Sequence, residues 1–169
     1  MMIRRKFLLC GVFAVLTGCM QGQLVDTGVA SSLRVTEVSV STRVARKNTA
    51  VPKQQILDAV QTKSFSLLSG VSRSGTRPVR VNVHVTQFYI ANAAAGILLG
   101  STKSGISAEV SLTDVVTGEV LQEKFLVTGM VDETRATIFG SALIDSPEQE
   151  VDSFTDDLAQ KIKIAIFGE

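Results

Sequence analysis

Residues 78–91 read PVRVNVHVTQFYIA. Val79, Val81, Val83 and Val85 fall on one side of an extended backbone, and Arg80, Asn82, His84 and Thr86 on the other. This period-two alternation of β-branched residues predicts a half-buried strand. The stretch 33–44, LRVTEVSVSTRV, has the same character and predicts a second strand. In 105–114, GISAEVSLTD, Ile106, Ala108, Val110 and Leu112 share one face. Asp114-Val115-Val116-Thr117-Gly118 then reads as a hairpin loop, with Gly118 at a positive-φ position and a return strand over 119–129. Two stretches change period. After Pro52, suited to a first helical position, Ile56, Leu57, Val60, Leu67 and Leu68 recur at roughly helical spacing, and Gly70 suits the helix end. Near the C-terminus Ser146-Pro147-Glu148-Gln149 supplies an N-cap serine, a first-turn proline and a capping-box glutamine. Val151, Phe154, Leu158, Ile162 and Ala165 follow on one helical face.

The predicted order is β-α-β-β-β-α. A helical crossover between the first two strands calls for a parallel pair, and the hairpin adds antiparallel strands. The expected fold class is α+β: a two-layer sandwich of a mixed four-stranded sheet with two helices on one face.

The N-terminus changes the picture. It reads MMIRRKFLLCGVFAVLTGCM, with Arg4, Arg5 and Lys6 before an apolar run of about ten residues, too short for a stable bilayer-spanning helix. Leu16-Thr17-Gly18-Cys19 resembles the lipobox of bacterial lipoproteins. The resemblance implies a signal peptide over 1–18, cleavage before Cys19, and acylation of Cys19. Residues 19–32 are expected to be the lipidated cysteine and its tether, and 33–169 a single periplasmic α+β domain. Met20 rather than Asp after the cysteine points to the outer membrane, lipid-anchored and facing the periplasm, rather than the inner membrane. Removing 1–18 leaves 151 of the 169 residues, enough for one ordinary core. It also removes Cys10; with Cys19 acylated, the mature domain has no free thiol for a disulfide, metal or nucleophile.

Loss of three N-terminal cations leaves 14 Lys/Arg against 16 Asp/Glu, a net charge of −2 that argues against nucleic acid. The charge is unevenly spread. Residues 43–80 carry eight cations and one acid, and residues 132–169 carry nine acids and three cations. Either the two regions attract one another within the fold, or the basic one faces anionic lipid or glycan. Candidate chemistry is sparse. His84 is the only histidine, and it falls on the polar side of a strand. No nucleophile turn accompanies it. Lys103-Ser104 follow Thr102 and lead into a strand, unlike a phosphate-binding loop. No catalytic residue, metal ligand or cofactor is assigned.

Two apolar, glycine-bearing connectors remain: ANAAAGILLG over 91–100 and ATIFGSALI over 136–144. Loops are ordinarily polar. These two either cover an open end of the core or present an apolar surface to a partner, an acyl chain or the membrane. Gly96, Gly100 and Gly105, then AEVSLTDVVTGEVL, Gly140 and the final helix are similar to the layout of one uncharacterised family of Gram-negative envelope lipoproteins. The likeness covers about 33–167. It implies a fold and an address but no catalytic residue. The expected function is a membrane-anchored, non-enzymatic binding or accessory module for an envelope transport or assembly partner. Its contact residues are Ala93, Gly96, Ile97, Leu98, Leu99, Ile138, Phe139 and Leu143. Alternatives are a carrier of a lipid or acyl chain between helices and sheet, and an envelope hydrolase relying on His84. Nothing in the pattern sets an oligomeric state.

Overall fold

The computed structural model describes residues 22–45, 50–91, 103–131 and 146–169. Four strands, β1 (Leu33–Thr42), β2 (Arg77–Tyr89), β3 (Gly105–Asp114) and β4 (Val120–Met130), form one sheet in sequence order. The β1–β2 pair is parallel, and β2–β3 and β3–β4 are antiparallel. Helices α2 (Lys53–Val71) and α3 (Pro147–Phe167) cover one face, giving the expected two-layer α+β sandwich. A short helix, α1 (Thr27–Ser32), precedes β1.

The strands put their valines under the helices. Val79, Val81, Val83 and Val85 are buried, opposite Asp114, Leu112, Val110 and Ala108 of β3. In β1 the inward positions skip a residue, from Val35 to Val38, and a register shift falls there. In β2 they skip from Val85 to Phe88, again at a register shift. A bulge absorbs one residue and returns the next apolar side chain to the core. On α2 the buried seam is Ile56, Val60, Ser64 and Leu68, one residue every four. The helix does not end at Gly70 as expected. It continues to Val71, because Ser72 caps it: the Ser72 N–H and hydroxyl both donate to Leu68 O, at 3.1 and 2.7 Å.

The final helix matches its expected signals. Gln149 N donates to Ser146 Oγ (3.3 Å), Ser146 N donates to Gln149 Oε1 (3.0 Å), and Gly168 closes the helix at φ 82°. Val151, Phe154, Leu158, Ile162 and Ile166 face the core. The helix crosses β4 at Gly129, where a Cβ would lie 2.3 Å from Phe154 O. Glycine permits this close approach of helix to strand.

Of the residues expected to be a tether over 19–32, those from Gln23 onward are bonded to the domain. Leu24 N and Val25 N donate to Ala165 O at 2.7 and 3.3 Å, and Gln23 Nε2 donates to Ile166 O. Val25 and Ala30 are buried, and Asp26 caps α1 by accepting from Gly28 N and Val29 N. Among the segment's described residues Val25 and Ala30 enter the core and Val29 packs against it, a spacing too irregular to read as a period. Its backbone bonds to the end of α3 hold it in place.

Candidate partner-facing end of the sheet

Strand direction divides the molecule into two ends. β1 and β2 begin at one end, where Thr76 N donates to Ser32 O and Val115 N donates to Pro78 O. This end carries the N-terminal segment, the turn after α2, the β3–β4 hairpin and the C-terminus of α3. At the opposite end β2 and β4 finish and β3 begins. Connections of 92–102 and 132–145 leave from it, as does 46–49 after β1.

Ser104 organises that opposite end. It is fully buried. Its Oγ accepts from Ala91 N (2.8 Å), and its carbonyl accepts from Val131 N (3.0 Å). One residue therefore fixes the chain on both sides of 92–102 and at the start of 132–145. Beside it lies an open cavity of about 440 Å³, lined by Val44, Phe88, Tyr89, Ile106, Thr128 and Met130 among others. Its walls mix apolar groups with hydroxyls, the Gln87 amide and Lys103, so no single ligand chemistry is selected by the lining. The contact residues expected from sequence, Ala93, Gly96, Ile97, Leu98, Leu99, Ile138, Phe139 and Leu143, lie outside the described residues, as does Cys19. Their flanking positions, Ala91, Lys103 and Val131, are brought to this one end.

The uncovered face of the sheet is mostly polar, with Leu126 exposed opposite Glu109. Arg80 pairs with Glu37, Lys124 with Glu109 (3.0 Å), and Asn82 Nδ2 donates to Thr113 Oγ1 (3.0 Å). His84 Nδ1 lies 3.0 Å from Ser41 Oγ, and His84 stands opposite Glu109 in register. This serine–histidine contact escaped sequence reasoning, since the two are 43 residues apart and meet only through the β1–β2 register. The row lies on a strand face open to water, and Glu109 is held by Lys124. Acyl-transfer chemistry needs a nucleophile beside preorganised oxyanion donors. Strand N–H groups committed to a sheet ladder do not supply them. Among the described residues, no group of three or more His, Asp and Glu side chains is placed to hold a metal.

The strongest electrostatic cluster is structural. Arg77 bonds Asp114 Oδ2 (2.6 Å) and Glu119 Oε2 (2.7 Å). Asp114 also accepts from Val116 N and Thr117 N, at 2.8 and 2.9 Å. The Arg77 bond, aided by these backbone donors, lowers the Asp114 pKa to about 2 against the opposing effect of burial. Among the described residues, the basic and acidic regions of the sequence pair where Lys63 of α2 meets Asp152 (2.5 Å) and Asp156 (2.9 Å) of α3. Arg77 and Arg80 instead find partners outside the acidic region. The layer between helices and sheet, where an acyl chain was one expectation, is filled by Ile56, Val60, Leu68, Phe154, Leu158 and Ile162, all at zero exposure.

No protein-family model matches the chain. No curated protein matches it in sequence. Among solved structures it is similar to a Caulobacter crescentus CB15 protein assigned as a lipoprotein, at 12% identity and TM-score 0.38, covering 81% of this chain and 89% of that one. It is also similar to the PelC dodecamer of Paraburkholderia phytofirmans, at 12% and 0.38, covering 76% and 88%. A third is a Xanthomonas campestris protein of the DUF330 family, at 14% and 0.33, covering 78% and 85%. At these values no function carries across from one protein to another. Among the described residues, no helix is long and apolar enough to cross a membrane.

Proposed function

We propose that this chain is a lipid-anchored envelope lipoprotein that acts without catalysis, as an accessory module for a protein partner. The anchor is Cys19, and the membrane is the outer one, with the domain facing the periplasm. The partner contact is the end of the sheet from which 92–102 and 132–145 leave. One observation carries this reading: Ser104 ties Ala91 and Val131 to one point, so two apolar connectors distant in sequence start side by side. A binding surface built from loops on a rigid sheet is a common way to place function.

The test is in vivo photo-crosslinking from position 98, together with the pair Leu98→Asp and Ile138→Asp. Capture of one defined envelope protein, lost in the Asp pair while the domain stays folded, is the expected result. Crosslinks confined to the chain itself would reject the surface. Capture of lipid alone would move the reading to membrane or acyl-chain contact at this end.

A further inference from the structure

The end opposite the proposed partner surface has its own unexplained feature. Val115 and Val116 stand at the tip of the β3–β4 hairpin, 38% and 78% exposed. Tight turns favour Gly, Asn, Asp, Pro and Ser, and β-branched residues gain nothing from exposure there. The tip is also firmly held. Val115 N donates to Pro78 O, Asp114 accepts from the next two N–H groups, and Arg77 fixes Asp114 in turn. Two valines are thus held outward by a turn with little freedom to tuck them away. Leu24, 52% exposed, stands at the same end, its backbone fixed to Ala165.

The chain connects this end to Cys19. Gln23, bonded to the last turn of α3, follows Cys19 by four residues. Four residues span at most about 14 Å. The hairpin lies two to three strand spacings from β1, roughly 10–14 Å across the sheet. Exposed charge at this end is mixed, Arg34 and Arg73 with Asp26 and Glu169, so no single sign repels or dominates.

The geometry points to a membrane-facing end: Val115, Val116 and Leu24 rest in the headgroup region of the bilayer that holds the acyl chains of Cys19. This rests on the lipoprotein reading above. Apolar groups held at an interface add to acyl anchoring, and two kinds of contact fix an orientation where one leaves the domain free to tumble. The consequence is directional. The Ser104 end points away from the membrane, toward whatever the periplasm presents.

The test uses the full lipidated protein in vesicles of phosphatidylethanolamine and phosphatidylglycerol. Single variants Val116→Cys, Leu24→Cys and Lys103→Cys each carry a polarity-sensitive thiol fluorophore. All three positions are exposed, so labelling leaves the core intact. Mass spectrometry of the N-terminal peptide reports acylation of Cys19 separately. The expected result is blue-shifted emission at 116 and 24, quenched by headgroup-labelled nitroxide lipid, and aqueous emission at 103. Acylated Cys19 with aqueous emission at 116 overturns the orientation while sparing the lipoprotein reading. An unacylated Cys19 overturns both.

Discussion

At the residue scale, three positions show how one side chain, or its absence, sets local energetics. Gly129 lies against α3 backbone, which cannot yield as a flexible side chain could. Gly129→Val is expected to cost at least about 1–3 kcal/mol by overpacking, read from the urea midpoint. Ser64 has the reverse problem. Its Oγ is buried in the α2 seam with no hydrogen-bond partner among the described residues. Ser64→Ala is therefore expected to be neutral or to stabilise by up to about 1 kcal/mol. Asp114 sets a pH dependence. Its folded pKa of about 2 lies below the ordinary 3.8, so its contribution is present above about pH 4 and lost as pH falls toward 2. The difference in melting temperature between the native protein and Asp114→Asn should shrink over that window. A gap unchanged between pH 5 and pH 2 would reject the Arg77 linkage. None of these environments was legible in sequence, because each depends on what another element brings to the position.

At the element scale, the helices do more than cover the sheet. Each also supplies side chains that cap an edge strand. From α2 and its C-cap, Gln61 Nε2 donates to Val38 O (3.2 Å), and Ser72 Oγ accepts from Val35 N (2.9 Å). From α3, Lys161 donates to Thr128 O (3.1 Å), and Asp157 accepts from Met130 N (2.8 Å). Edge strands expose unpaired backbone groups that invite association, and such caps occupy some of them. The Val35 N–H···Ser72 bond is buried, whereas the Gln61 bond is partly exposed. Ser72→Ala should thus cost about 1–3 kcal/mol and Gln61→Ala less, by denaturant titration. The four strands and the two long helices were legible, whereas α1 was not. Alternation marked the strands, four-residue recurrence the helices, and capping signals the start of α3. The bulges left a trace in the skipped apolar positions, Val35 to Val38 and Val85 to Phe88. The end of α2 did not, because Gly70 resembles a stop and the cap at Ser72 acts partly through β1.

At the scale of the whole molecule, the two ends are unlike. One gathers the N-terminal segment, short turns and the valine-tipped hairpin. The other holds Ser104, its bonds to Ala91 and Val131, and the 440 Å³ cavity. The N-terminal segment belongs to the fold. A domain beginning at Leu33 would lose burial of Val25 and Ala30 and the bonds to Ala165. Its stability should fall on the order of 3 kcal/mol relative to one beginning at Gln21, measured by chemical denaturation. Equal midpoints would mean that the segment is merely a tether.

What the sequence determined by itself is whatever depends on neighbours within a few residues. Strand and helix periods, the capping box at Ser146, the positive φ at Gly118 and the α+β order all followed from local pattern, because backbone geometry repeats over two to four residues. The tertiary structure alone decided which distant groups share a place. Ser41 meets His84, Lys63 meets Asp152, Gly129 meets Phe154, and Ser104 joins Ala91 to Val131. Those meetings are set by sheet register and helix crossing, which arise from packing the whole core at once and leave no signature in any one segment.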